Sequence, residues 1–155
     1  DIVKNSQSFA DSADALKNGQ IDAAFVVAGA PTTAVTELAA SGYKINLLEI
    51  DAEHAEQLKS QYGFYTDITV PAGTYTPVDK DVKTVAVMAT LACRNDVPTE
   101  VVYEFTKGMF ELKDKLGAAG FKDKFDLVDQ TTAVTGSTVP FHPGAEQYFK
   151  EIGAM

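Results

Sequence analysis

The chain has 155 residues, 45% of them hydrophobic and 23% charged, with a formal net charge of −9 and a pI near 4.6. That is enough sequence for one ordinary domain or two small lobes, and the composition is that of a folded globular chain rather than a disordered one. The acidity disfavours nucleic acid and anionic membrane surfaces as partners, since both reward basic patches; it leaves room for a small anion, which feels local dipoles more than net charge.

Asp1-Ile2-Val3-Lys4 reads as the inside of a structured region, so the chain is expected to be a piece of a longer protein. Ser6 or Ser8 can cap a helix over residues 9–18, with Phe9, Ala13 and Leu16 on one face and Asn18-Gly19 closing it. The stretch from Gly19 to Thr33 then reads as turn, buried strand, glycine turn and helix start. Ile21 to Ala28 is apolar apart from Asp22, short enough for a strand covered on both faces. Gly29 ends it, Pro31 suits a first helical turn, and Thr32 and Thr33 add hydroxyls there. Open α/β sheets place ligands where a buried parallel strand runs into a helix N-terminus, whose amides and dipole favour anions. Gly29, Ala30, Pro31, Thr32 and Thr33 are therefore the first candidate binding residues; the simpler alternative is an ordinary strand–helix connection.

A helix over residues 32–40 follows, with Val35, Leu38 and Ala39 inward, and Gly42 ends it. Residues 43–50 read as a second strand, and Asp51 caps a helix over 52–61. This alternation is the pattern of a mostly parallel sheet flanked by helices, an α/β fold. From Gly63 the character changes: Phe64, Ile68 and Val70 look extended, Pro71-Ala72-Gly73 turns, and an aromatic loop follows. Tyr75 in that loop is a candidate to close over a ligand, offering a flat apolar face and one donor, or else simply a packed surface tyrosine. Val82 to Cys93 is the longest apolar run, and its β-branched content favours a central strand. Pro98 opens a long helix to about Leu116 with Val102, Phe105, Met109, Leu112 and Leu116 as its core stripe. Residues 120–126 are amphipathic and ambiguous, 129–138 polar and threonine-rich, 140–144 a rigid turn, and 145–152 a closing helix.

Catalytic and metal chemistry find little support. Cys93, the one cysteine, sits in an apolar run and reads as a buried small hydrophobe, which leaves the redox compartment open. His54 and His142 lack any triad-like context, and there is no Gly-x-Ser-x-Gly, Walker or Gly-x-Gly-x-x-Gly motif. Asp51, Glu53 and His54 cluster at a helix start, where capping already explains acidic residues. Glu100, Glu104 and Glu111 read as a solvated helix face. His142, between Phe141 and Pro143, can fix its turn through a backbone hydrogen bond or contact a ligand or partner. No enzyme, no metal and no cofactor is the expectation.

Three ordered stretches carry a resemblance. They are Leu16-Lys17-Asn18-Gly19-Gln20-Ile21-Asp22-Ala23-Ala24-Phe25 with Gly29-Ala30-Pro31; Ile68-Thr69-Val70-Pro71-Ala72-Gly73-Thr74-Tyr75 with the segments to Tyr103; and Val139-Pro140-Phe141-His142-Pro143-Gly144 running to Gly153. Together they resemble the C-terminal half of the TAXI (TRAP-associated extracytoplasmic immunogenic protein) solute receptors of TRAP transporters. The resemblance implies part of a two-lobed type II periplasmic binding-protein fold, residues 1–69 lying in the second lobe and 70–155 forming the crossover and the C-terminal part of the first. It implies a periplasmic receptor that captures a small carboxylate or an amino acid such as glutamate and hands it to membrane permease subunits. On that reading Gly29, Ala30, Pro31, Thr32 and Thr33 form one cleft wall and Tyr75 packs over the solute. The family's N-terminal half, with its Gly-Ser-Gly-Thr-like turn, has no counterpart here. Strands short of neighbours make homodimerisation by strand exchange an expectation. The periodic pattern alone fits an autonomous α/β effector-sensing or interaction domain equally well.

Overall fold

A computed structural model describes residues 2–155, with the side chains of Phe121, Asp123 and Lys124 left aside. The elements in chain order are helices α1 (Phe9–Lys17), α2 (Thr33–Ala40) and α3 (Ala52–Gln61), strands β1 (Tyr65–Val70) and β2 (Val82–Val87), and helix α4 (Thr99–Glu111). Short turns α5 (Lys113–Leu116) and α6 (Lys122–Phe125) flank a π-helical turn at Gly117–Phe121, and α7 (Pro143–Glu151) closes the chain.

The helices form where capping and periodicity place them. Ser8 is the N-cap of α1, its Oγ accepting the Asp11 amide at 3.1 Å, and Gly19 leaves the helix at φ +66°. Leu38 and Ala39 are buried on α2, with Val35 packed behind them as the spacing predicts. Helix α7 starts earlier than the expected Ala145: Pro143, read as part of the rigid turn, occupies its first turn and His142 is the N-cap.

The sheet departs from expectation. Among the described residues it has two strands, β1 and β2, paired antiparallel. No parallel sheet forms there. Ile21–Ala28, read as a buried strand, and Tyr43–Ile50, read as a second strand, run without regular structure, and Phe25 and Leu48 are 83% and 73% exposed. Apolar periodicity reports a tendency to be buried, whereas a strand also needs a neighbour for its amides and carbonyls. At the end of Tyr43–Ile50, Ile50 N–H donates to Lys83 O at 3.1 Å. Likewise the run Val82–Cys93 is a strand only to Val87; beyond it the chain is irregular and Cys93 is exposed, not a buried thiol.

The chain divides into two compact units: the stretch up to Asp51 together with Ile68–Thr84, and Ala52–Asp67 together with Val85–Met155. The first packs α1 on α2. Its core is Ala39, Tyr75, Val78 and Val82, with Ala30, Val35, Ile45, Leu47 and Val70 against it.

The second unit is built on α4 and α7. Tyr103 meets Tyr148 edge-on at 6.1 Å, and Phe110 stacks on Tyr148 at 5.8 Å. Of the expected stripe only Val102 is buried, while Phe105 and Leu112 are exposed. The covered face of α4 is therefore turned by roughly a quarter of a helical turn toward Tyr103 and Phe110, at 100° per residue. The helix also stops at Glu111 rather than near Leu116, because Leu112 leaves helical geometry at φ −99°, ψ 11°. Gly144 makes the α4–α7 contact possible: a Cβ there would lie 2.2 Å from the Thr99 carbonyl oxygen and 2.7 Å from the Tyr103 amide nitrogen. Glu100, Glu104 and Glu111 lie on the exposed side, as expected.

Candidate functional site

The first unit brings together all six residues singled out for binding. Gly29, Pro31 and Thr33 are exposed, and Ala30 and Thr32 half-buried. The turn is closed from within: Thr32 Oγ1 donates to the Gly29 carbonyl at 2.8 Å. Thr32 is the N-cap of α2; its side chain makes no cap hydrogen bond, and its hydroxyl hydrogen goes back to Gly29. Pro31, expected in the first helical turn, precedes the cap instead, and the Ala30–Pro31 peptide is cis.

Tyr75 reaches this turn across 43 residues of sequence. Its hydroxyl accepts the Thr32 amide hydrogen at 2.9 Å. The loop that carries it is folded tightly: Gly73 sits at φ +78°, its amide donates to Val78 O at 2.8 Å, and Val78 N–H returns to Tyr75 O at 2.7 Å. Ala72 N–H is held by the Asp81 carboxylate at 2.8 Å. A positive φ at position 73 suits glycine, which has no Cβ to strain. The ring is 6% exposed and lies in the core with Ala39, Val78 and Val82. Tyr75 is therefore not a loose flap; its ring anchors the loop and its phenol oxygen meets the start of α2.

The chemistry left at the turn is specific. The first intrahelical bond is Thr36 N–H to Thr32 O at 2.9 Å, and the Thr36 hydroxyl shares that acceptor at 3.1 Å. The amides of Thr33, Ala34 and Val35 precede any intrahelical acceptor, as at every helix start. Thr33 adds an exposed hydroxyl, and Tyr75, having accepted from Thr32, keeps its own O–H to donate. These donors gather at the positive end of α2, an arrangement suited to a carboxylate. The Thr32 hydroxyl is already spent, so Thr33 is the stronger candidate of the two.

The second unit places the other singled-out residues. His142 Nδ1 accepts from the Gly144 amide at 3.2 Å while Nε2 lies 3.0 Å from the Val97 carbonyl oxygen. One nitrogen accepting and the other donating defines the neutral Nε2–H tautomer, and both nitrogens are used within the fold. Arg94 pairs with Asp96, Nε to Oδ1 at 2.8 Å, in an exposed turn. Tyr103 donates to Glu151 Oε2 at 2.6 Å; that hydrogen bond, followed by desolvation, pushes the phenol up to about 12. Asp129 is held below the usual carboxylate range by hydrogen bonds from the Thr131 hydroxyl and amide. Sequence reasoning had no signal for the Tyr103–Glu151 pair, whose members lie 48 residues apart.

No helix among the described residues is long and apolar enough to cross a membrane. Compared with known families, the sequence matches the NMT1-like family over residues 1–153, nearly its whole length, and the match does not distinguish the TAXI branch. The chain therefore belongs to the NMT1-like family, of periplasmic binding-protein type, which gives it a solute-binding role.

Proposed function

We propose that this chain recognises a small carboxylate, or an amino acid such as glutamate, at the Gly29–Thr33 turn, as part of an extracytoplasmic receptor of the TAXI type serving a TRAP transporter. The observation that carries the reading is the Tyr75 hydroxyl on the Thr32 amide. It fixes a helix N-terminus beside a glycine turn and leaves a phenol O–H as donor next to first-turn amides that have no intrahelical acceptor. Gly29, Ala30 and Pro31 give close backbone approach, Thr33 a hydroxyl, and Tyr75 the buried support.

The action is binding without chemistry. No acid, base or nucleophile is needed for solute capture, and delivery goes to the permease subunits. The receptor works outside the cytoplasm, in the periplasm. Segments such as Ile21–Ala28, which have strand composition but no ladder partner among the described residues, favour strand exchange between copies in the same reading. Calorimetric titration with glutamate, other amino acids and small organic acids tests the proposal. Saturable heat with one of them, weakened by Tyr75→Phe, supports it; silence across the panel overturns it.

A further inference from the structure

The second unit contains a cleft of about 290 Å³ that the carboxylate reading does not use. Its apolar floor is Phe64, Val87, Met88 and Val139. These four side chains are 38%, 46%, 38% and 60% exposed, so convergent apolar surface stands open to water. Gly136 closes one wall at φ +71°, and a Cβ there would come within 3.1 Å of Thr66 Cγ2 and 3.2 Å of the Phe64 carbonyl oxygen. The loop and the β1–β2 end that make the cleft are thus packed on each other, which fixes its shape.

The polar side chains of the lining are hydroxyls: Thr90, Ser137 and Thr138. Thr90 Oγ1 donates to Met88 O at 3.4 Å and Ser137 Oγ to Val139 O at 3.0 Å. With those hydrogens committed, the Thr90 and Ser137 oxygens keep lone pairs to accept with, and the Thr138 hydroxyl can donate or accept. None of the lining residues is charged. A carboxylate would lose its water against an apolar floor without a cation to meet it. A neutral group with an O–H of its own matches, and a flat ring suits the methionine sulfur and Phe64. The volume is about that of ten waters in the liquid, the low end for small-molecule sites.

We propose that this cleft is a second binding site, for a compact uncharged aromatic or branched alcohol. Benzyl alcohol is the probe and benzoate its charged counterpart. Methionine methyl NMR reads the site directly, since the three methionines include Met88 in the floor and two others outside the lining. The expected result is a saturable shift of the Met88 methyl with benzyl alcohol, with Met109 and Met155 still. Benzoate should bind at least about tenfold more weakly, the cost of an unpaired charge against an apolar wall. Val139→Asp, at a position 60% exposed, should abolish the shift. An unmoved Met88, equal binding of benzoate, or an unaffected Val139→Asp protein overturns the proposal. Glutamate should leave Met88 still, so this site and the Gly29–Thr33 site stand or fall separately.

Discussion

Each unit is fastened by one ring that reaches across the sequence to a helix start, and the two rings are used differently. His142 caps its own helix α7 and holds the Val97 carbonyl, 45 residues away, so both nitrogens are consumed by the fold. Tyr75 meets the start of another helix, α2, accepts one amide and keeps a donor. A group whose hydrogen-bonding capacity is exhausted can only hold structure, whereas one with capacity left, beside open amides, can also take a ligand. That contrast favours Tyr75 over His142 as the functional ring, although His142 is the odder residue in the sequence.

The strongest way to break the second unit is Gly144→Ala. A methyl there meets backbone atoms of Thr99 and Tyr103 that cannot turn aside. The expected loss is about 3 kcal/mol or more, read by chemical denaturation. A loss under about 1 kcal/mol would mean that α4 and α7 are not in this close contact.

Tyr75→Phe should cost about 1–2 kcal/mol, because it leaves the Thr32 amide without its acceptor while keeping the ring in the core. His142→Asn sharpens the comparison. Asn keeps an N-cap acceptor but does not reach Val97, so the expected loss is smaller, about 1 kcal/mol, with solute binding unchanged. Equal loss of solute affinity in the two variants would erase the distinction between the rings.

The smallest effect is alkaline. Tyr103, held protonated to about 12 by Glu151, has a folded value above its ordinary 10.0. Its contribution to stability is complete below pH 10 and is lost as pH rises through the folded value. Ultraviolet titration should show one tyrosine ionising late, and Glu151→Gln should return it to the ordinary range.

The local features of this fold were legible because they depend on neighbours in sequence. Ser8, Gly19, Gly42 and the inward face of α2 follow from caps and 3.6-residue spacing. The larger failures are non-local. Ile21–Ala28 has strand composition but no ladder partner among the described residues. Phe105 and Leu112 lie at core spacing yet face solvent, since α7 meets the Tyr103–Phe110 side. The candidate site was legible as a glycine turn and a nearby aromatic. That the tyrosine hydroxyl would take the Thr32 amide was not, for it depends on the loop fold around Gly73 and Asp81.

The central claim is that solute meets the start of α2 beside Tyr75. Backbone amide NMR during titration with glutamate and a panel of small carboxylates tests it most directly. The Thr33 and Ala34 amides should shift saturably with at least one of these solutes, and Tyr75→Phe should weaken that response at least about tenfold, the equivalent of one lost charge-assisted hydrogen bond. Saturable shifts elsewhere with residues 29–34 unmoved, or full affinity in the Tyr75→Phe protein, would contradict it.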